Sequence, residues 1–407
     1  MKIIKHLWFR IYQKIFYFAS YVIGYREPVL IRKKDGILDI PMLLKSQGKQ
    51  NLFLVVDQNI FKLGLIDSLI KELIKMKINI TFFDGVKPDP DIKEVLKAKE
   101  KYIRNKCDAI VSIGGGSAID LAKACGVLIA RPKRDIQKMK GVLKVGKKLP
   151  FHIAVPTTVG TGSEGTLAAV VSNYETNEKY AIMDPVLIPD VALLDTNLVK
   201  NLPKNIIANT AMDALTHAIE AYVGKANTGQ TKKQAELAIQ LILGNALRAY
   251  EDQDEAAISN LHYAAYLAGL AFTRAYVGNV HAIAHTLGGF YHIPHGLANA
   301  VVLPHVLDYY DTKIKRKIKK LGKKTDIFPA ETNEKDQTIF LIDTIRYLNK
   351  KLSIPTGFKN IILEKDLEMM VDRAYKEANP LYPVPMIFSK TDFLHIYQRL
   401  MLEGTNE

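Results

Sequence analysis

A change of hydrophobic rhythm near residue 200 constrains this chain more than any other feature. Upstream of it, short apolar runs at 52–56 (LFLVV), 79–83 (INITF), 109–113 (AIVSI) and 151–155 (FHIAV) read as buried strands. Helical patterns at 60–76, 91–105 and 117–129 separate them. Strands that alternate with helices predict a parallel sheet covered by helices. Downstream, runs such as 230–250 and 254–275 are rich in Ala and Leu with no β-branched alternation, so an all-helical second half is expected after Leu202-Pro203. A length of 407 residues suits two such domains. The expected division is a helical extension over 1–27, an α/β nucleotide-binding domain over 28–200 and a helical domain over 201–407. Two domains in series put a cleft between them, a common place for a ligand.

The extension has its own pattern. Ile4, Leu7, Trp8, Ile11, Tyr12, Ile15, Phe16 and Ala19 recur at helical spacing, with Lys5, Arg10 and Lys14 off that stripe. Arg10, Gln13 and Lys14 interrupt what a signal peptide would need as an unbroken apolar core. No other stretch approaches the ~20 apolar residues of a membrane span. This basic amphipathic helix is expected to pack on its own protein or a partner subunit. Peripheral contact of residues 1–25 with a membrane surface is the alternative.

Basic residues exceed acidic ones, 56 to 42, a formal net charge of +14. Eight of them crowd 313–324 (KIKRKIKKLGKK). Without interleaved aromatics or a nucleic-acid motif, that stretch is expected to be a solvated helix, and no nucleic-acid partner is expected. The two cysteines, Cys107 and Cys125, form no CxxC or Cys/His spacing. A reduced, cytoplasmic protein without a disulfide framework is expected, and any metal must be held by His, Asp or Glu.

Two glycine-rich strings follow strands. GGGSAID (114–120) opens a helix, where glycines let the backbone approach a phosphate and the helix N-terminus supplies free N–H groups. PTTVGTGSE (156–164) offers the hydroxyls of Thr157, Thr158, Thr161 and Ser163. Two such loops at strand ends face one crevice in open α/β sheets and point to a nucleotide. Asp57 ends the run 52–56, where a carboxylate accepts from an adenosine ribose and repels a 2′-phosphate. That favours NAD over NADP; a helix N-cap is the competing role.

Five of ten histidines fall within 25 residues: His281, His285, His292, His295 and His305. His281 and His285 are four apart, as are Asp213 and His217 upstream, so each pair shares a helix face. A continuous helix would carry His295 roughly 15 Å beyond the first pair. Gly288, Gly289 and Pro294 are expected to break it. One carboxylate with imidazoles suits Fe(II) or Zn(II) better than Mg or Ca. Spacing alone leaves open which four residues bind.

The strings GGGSAID, PTTVGTGSE, MDALTHAIEAY (212–222) and HAIAHTLGGFYHIPHGLANA (281–300) together resemble the iron-containing (group III) alcohol dehydrogenases, from about Pro28 to the C-terminal region. The resemblance implies a dehydroquinate synthase-like fold: a Rossmann-like N-terminal domain, a helical C-terminal domain and an active site in the cleft between them. It implies metal ligands at Asp213, His217, His281 and His295, with Fe(II) as the metal and Zn(II) as the alternative. It implies cofactor contacts at Asp57, Gly115, Gly116, Ser117, Thr157, Thr158 and Thr161, with Lys179 near the nicotinamide ribose. His285 matches a histidine close to the metal and is the candidate proton relay. Asp89, in Pro88-Asp89-Pro90, replaces an Asn common in the family; Ala118 and Thr196 stand where Pro is common. The implied reaction is reversible hydride transfer between a primary alcohol or its aldehyde and NAD, in a homodimer or larger assembly. A related polyol (glycerol-type) dehydrogenase, or a membrane-surface or binding protein that has lost activity, is the alternative.

Overall fold

The computed structural model describes residues 2–22, 25–87, 89–175, 178–329, 332–333 and 336–404; Pro88 lies outside them. The chain opens with helix α1 (Lys2–Val22). There follow β1 (Val29–Arg32), α2 (Ile40–Ser46), β2 (Asn51–Asp57), α3 (Gln58–Lys62), α4 (Asp67–Lys75), β3 (Asn79–Val86), α5 (Ile92–Arg104), β4 (Ala109–Gly114) and α6 (Gly116–Ala130). Strands β5 (Gly141–Val142), β6 (Phe151–Pro156), β7 (Ala168–Asn173), β8 (Glu178–Met183) and β9 (Val191–Leu194) complete the α/β part. From there on only helices remain among the described residues: α7 (Lys204–Val223), α8 (Gly229–Glu251), α9 (Glu255–Ala275), α10 (Asn279–Tyr291), α11 (His295–Tyr310), α12 (Thr312–Thr325), α13 (Gln337–Lys351), α14 (Leu367–Ala378) and α15 (Lys390–Leu402), apart from two short 3-10 turns. Two compact units result, one of residues 25–201 and one of residues 202–407 together with 1–24.

In the first unit six parallel strands lie in the order β1-β9-β6-β4-β2-β3. Three of the four apolar runs are central strands buried on both faces, which is why they read as continuous rather than alternating; the fourth is the partly exposed edge β3. Leu52, Leu54 and Val56 of β2 pack with Leu69 and Leu73 of α4 on one face. Phe53 and Val55 pack with Leu121, Ala122 and Cys125 of α6 on the other. Cys107 and Cys125 are buried free thiols. A second sheet of three strands, β5-β8-β7, stands apart. From β2 the chain turns outward to β3, then crosses to β4 on the other side of β2. The C-terminal ends of β2 and β4 therefore flank a topological switch point, where open α/β sheets bind their ligands.

Two local expectations differ from the structure. The pattern over 60–76 is two helices, α3 and α4, because Gly64 adopts a left-handed φ of +65° between them. Strands β1 and β9 complete the sheet; at four residues each, they are too short to carry a periodic signal.

In the helical unit, α7 begins just after Pro203, as the sequence suggests. Gly288 and Gly289 do not break α10, which runs through both to Tyr291. The turn is made instead by His292, left-handed at φ 54°, and by Pro294, which caps α11. Helix α12 buries Ile314, Ile318 and Leu321. Its Lys317 donates to the carbonyls of Val223 (2.9 Å) and Gly224 at the end of α7, so one of the eight basic residues is a helix cap.

Helix α1 packs on the helical unit, but not by its apolar stripe. Phe9 and Gln13 are buried. The Arg10 guanidinium donates to the carbonyls of Val384 (2.7 Å) and Pro385 (3.2 Å). The Gln13 amide donates to those of Pro380 (3.0 Å) and Tyr382 (2.8 Å). Ile4, Leu7, Trp8, Ile11 and Ile15 are exposed; the side chains of Phe16 and Ala19 lie outside the described ones. Carbonyls in a proline-rich segment lack strand partners, and they outbid apolar contact for this helix by recruiting its polar face. No helix among the described residues is long and apolar enough to cross a membrane.

Candidate metal centre and nucleotide loops

Helix α7 presents Asp213, His217 and Glu220 at spacings that place them on one face. Helix α10 contributes His281, and His295 is the first residue of α11. Gly296 lets α11 approach α7: a Cβ there would stand 2.4 Å from the carbonyl oxygen of Asn209. The result brings one ligand atom from each of Asp213, His217, His281 and His295 within 4.8 Å of all the others. No other such group occurs among the described residues. Asp213, His217 and His281 are buried, while the His295 side chain is 36% exposed. Solvent reaches the cluster from the His295 side, an access that a catalytic metal site needs and a closed structural one lacks.

The donor set fits a divalent cation. The amide Nδ2 of Asn299 lies 2.7 Å from Asp213 Oδ1, 3.2 Å from His281 Nε2 and 3.1 Å from His295 Nε2. An amide has two protons and cannot satisfy three acceptors. The potential donor atoms of these three residues therefore crowd one point, as metal ligands do. His281 is held in the right tautomer: its Nδ1 bonds Glu220 Oε2 at 2.6 Å, which leaves the Nε2 lone pair facing the cluster. Burial, with His217, His295 and His285 around it, keeps the pKa of His281 well below its ordinary value, so the ring is neutral. Glu220 also accepts the backbone N–H groups of Gly278 and Val280, each at 2.8 Å, and so caps α10. Burial pushes its carboxyl up to about 8, against the pull of those donors.

His285 stands beside the cluster and outside the ligand set. Its ring stacks on His295 at 5.2 Å between centroids, and its Nδ1 bonds Glu377 Oε1 at 2.5 Å. Tyr382 donates to the same oxygen at 2.8 Å. His292 is in the turn after α10, and His305 bonds the carbonyl of Thr356 at 2.9 Å; neither joins the cluster. Glu220, Asn299 and Glu377 were not singled out in the sequence. Glu220 had a signal, three residues past His217 on the same face. Glu377 had none, since its partner lies 92 residues away.

In the α/β unit Asp57, Gly114, Gly115, Gly116, Thr158 and Thr161 come together. A Cβ on Gly114 would lie 3.1 Å from that of Asp57, and one on Gly116 would lie 3.0 Å from Thr161 Cγ2. Gly115 faces Thr158 in the same way, at 3.3 Å. The hydroxyl of Thr158 is buried and has no hydrogen-bond partner among the described residues, which suits a polar ligand group. Thr157 is buried, and its N–H donates to the carbonyl of Gly114. Ser117 Oγ accepts from the N–H of Asp89, which is left-handed at φ 54°. Asp57 caps α3, accepting from Asn59 N–H at 2.8 Å with Oδ1. The side chain of Lys179 lies outside the described ones.

The second loop rests on a buried cation that the sequence reading overlooked. Lys123 of α6 donates to the carbonyls of Ser163 (2.7 Å), Thr166 (2.9 Å) and Ala168 (2.8 Å). Asp120, one turn earlier, accepts from Ser163 Oγ at 2.6 Å and from Val170 N–H at 3.1 Å. Burial draws the Lys123 ammonium down to about 8.

Comparison with known proteins gives matches along almost the whole chain. Residues 28–196 match the family model described as iron-containing alcohol dehydrogenase, and residues 207–401 match that of the Fe-containing alcohol dehydrogenase family, C-terminal. The chain is 36% identical to alcohol dehydrogenase 4 of Saccharomyces cerevisiae, covering 93% of this chain and 99% of that one. It is 35% identical to an NADPH-dependent butanol dehydrogenase of Clostridium saccharobutylicum, over 83% of this chain and 87% of that one. Among solved structures it is similar to a 1,3-propanediol oxidoreductase, with TM-score 0.88 and 32% identity over 93% of this chain and 99% of that one.

Proposed function

The chain belongs to the iron-containing alcohol dehydrogenase family, and from that premise we propose that it is a metal-dependent enzyme transferring hydride reversibly between a primary alcohol or its aldehyde and NAD. The observation that carries this reading is the convergence of Asp213, His217, His281 and His295 on one cation position with one open side. Fe(II) is the proposed metal, since one carboxylate and three imidazoles suit it, and Zn(II) fits the same set. When bound there, such a metal supplies Lewis acidity to the substrate oxygen.

The chain's own residues do the rest. Asp213 offsets the cation's charge, and Glu220 keeps the His281 ring oriented. The half-exposed His295 marks the side from which an alcohol enters. His285, held by Glu377 through Nδ1, keeps Nε2 free to accept the hydroxyl proton and pass it to solvent. A bound nicotinamide would supply the acceptor for the hydride of the carbinol carbon. Gly115, Gly116 and Thr158 would receive the dinucleotide's phosphates, and the family resemblance assigns Lys179 to its ribose. Asp57 supports NAD over NADP, because its carboxylate repels a 2′-phosphate. The butanol dehydrogenase it resembles is named for NADPH, so this preference belongs to Asp57 alone.

The test is metal analysis of anaerobically purified protein, paired with alcohol oxidation by NAD and by NADP before and after chelation. About one Fe or Zn per chain, with activity lost on chelation and restored by metal, is expected. Full turnover without metal would falsify the reading. Asp57→Ser is expected to raise NADP turnover relative to NAD. His285→Ala is expected to lower kcat by roughly 10²-fold or more while the metal stays bound.

A further inference from the structure

We propose that α1 is an interfacial anchor that lays its outer face on an anionic lipid surface. The family match begins at residue 28, so this helix lies outside it, and the inference is independent of the reaction assigned above. The observation behind it is an inversion. An amphipathic helix normally buries its apolar stripe and exposes its polar face. Here Phe9, Arg10 and Gln13 face the protein, and Arg10 and Gln13 spend their polar groups on its carbonyls. Ile4, Leu7, Trp8, Ile11, Ile15 and Phe18 point outward, at 43–73% exposure.

At 3.6 residues per turn those six side chains occupy an arc of roughly 100°, nearly opposite the docked face. Lys14 lies next to the arc on one side, and Lys5 lies about 60° beyond its other edge. Lys5 also sits over the ring of Tyr375 in α14, 5.0 Å from its centroid, which ties that edge of α1 to the protein. Helix α1 contains no Asp or Glu. Lys225 nearby titrates low, from partial burial and from Arg10 of α1 and Lys313 of the basic helix α12. An apolar arc with an indole in it, flanked by lysines and free of carboxylates, is the pattern of helices that lie in the headgroup region of a bilayer.

A second copy of the chain would cover the same apolar face, but its charges argue against that pairing. Two such helices face to face would set lysines against lysines, with no carboxylate on either helix to pair with them. Phosphate headgroups supply the missing negative charge. No described helix is long and apolar enough to span, so the contact is one of lying on the surface.

Trp8 is the only tryptophan in the chain, so the emission of the intact protein reports on α1 alone. Titration with vesicles of phosphatidylcholine containing phosphatidylglycerol is expected to shift that emission to the blue and to carry the protein into the vesicle pellet. Both effects are expected to weaken as salt is raised and to be absent with phosphatidylcholine alone. Leu7→Glu combined with Ile11→Glu is expected to abolish pelleting without changing alcohol oxidation in solution, which also reports that the variant is folded. Lys14→Glu alone is expected to weaken partitioning on the order of tenfold. Unchanged emission with anionic vesicles would overturn the proposal, as would equal pelleting with neutral ones. A blue shift that grows with protein concentration in the absence of lipid, with a larger sedimenting mass, would also overturn it and assign the face to a second copy.

Discussion

The four side chains proposed to share one cation position are expected to tolerate little replacement. Asp213→Ala or His281→Ala is expected to lose bound metal and activity together, measured as metal per chain and turnover on the same preparation. Glu220 touches no substrate, yet two consequences follow from its contacts. Glu220→Gln keeps the shape but can turn an amide N–H instead of an oxygen towards His281 Nδ1, and metal affinity is expected to fall by about 10–100-fold in a chelator competition. Glu220→Ala also strips the N–H groups of Gly278 and Val280 of their acceptor, so it is expected to lower the melting temperature more than Glu220→Gln does. At this scale the sequence was readable where a function sits on one helix turn. Asp213 and His217 announce themselves by spacing. Asn299 and Glu377 do not, because each acquires its role only when separate helices meet.

Secondary elements show the same division between local and distant causes. Helix α6 and the loop after β6 are joined through Lys123, whose ammonium satisfies three backbone carbonyls in a fully buried position. Lys123→Met is expected to destabilise the α/β unit by about 3 kcal/mol or more, since those carbonyls would remain buried without donors. Equilibrium denaturation measures it. Helices α14 and α15 are linked by Asp372, which binds Lys376 and Lys390, each at 2.6 Å. Those lysines draw its carboxyl down from 3.8 to about 2. A depressed folded-state pKa means that the link is fully present above the unfolded value and is lost as pH falls through about 2. Stability of the wild type is therefore expected to decline more steeply between about pH 4 and pH 2 than that of Asp372→Asn, as followed by thermal melts. The central strands were legible because buried parallel strands are apolar throughout. The break between α3 and α4 was not, since a single left-handed glycine interrupts an otherwise unbroken helical pattern. The turn before α11 was misplaced for a related reason: Gly288 and Gly289 are tolerated within α10, and the chain reverses at a histidine, a residue with little turn preference of its own.

For the molecule as a whole, metal binding and folding are linked. A cation that binds only the folded chain stabilises it by about 2.7 kcal/mol when its free concentration is 100 times its dissociation constant. Calorimetry is expected to show a transition that moves down on chelation and returns with Fe(II) or Zn(II). A transition indifferent to both metals would argue that the four ligands hold none. All four ligands come from residues 202–407, whereas Asp57 and both glycine loops come from residues 25–201. In the proposed reading, redox currency and bond-making chemistry are thus encoded in separate stretches of the gene. Selection for a different dinucleotide can act on a few codons around residue 57 while the metal-binding codons remain under independent constraint. A lineage built this way can change its coenzyme economy without reinventing its catalyst.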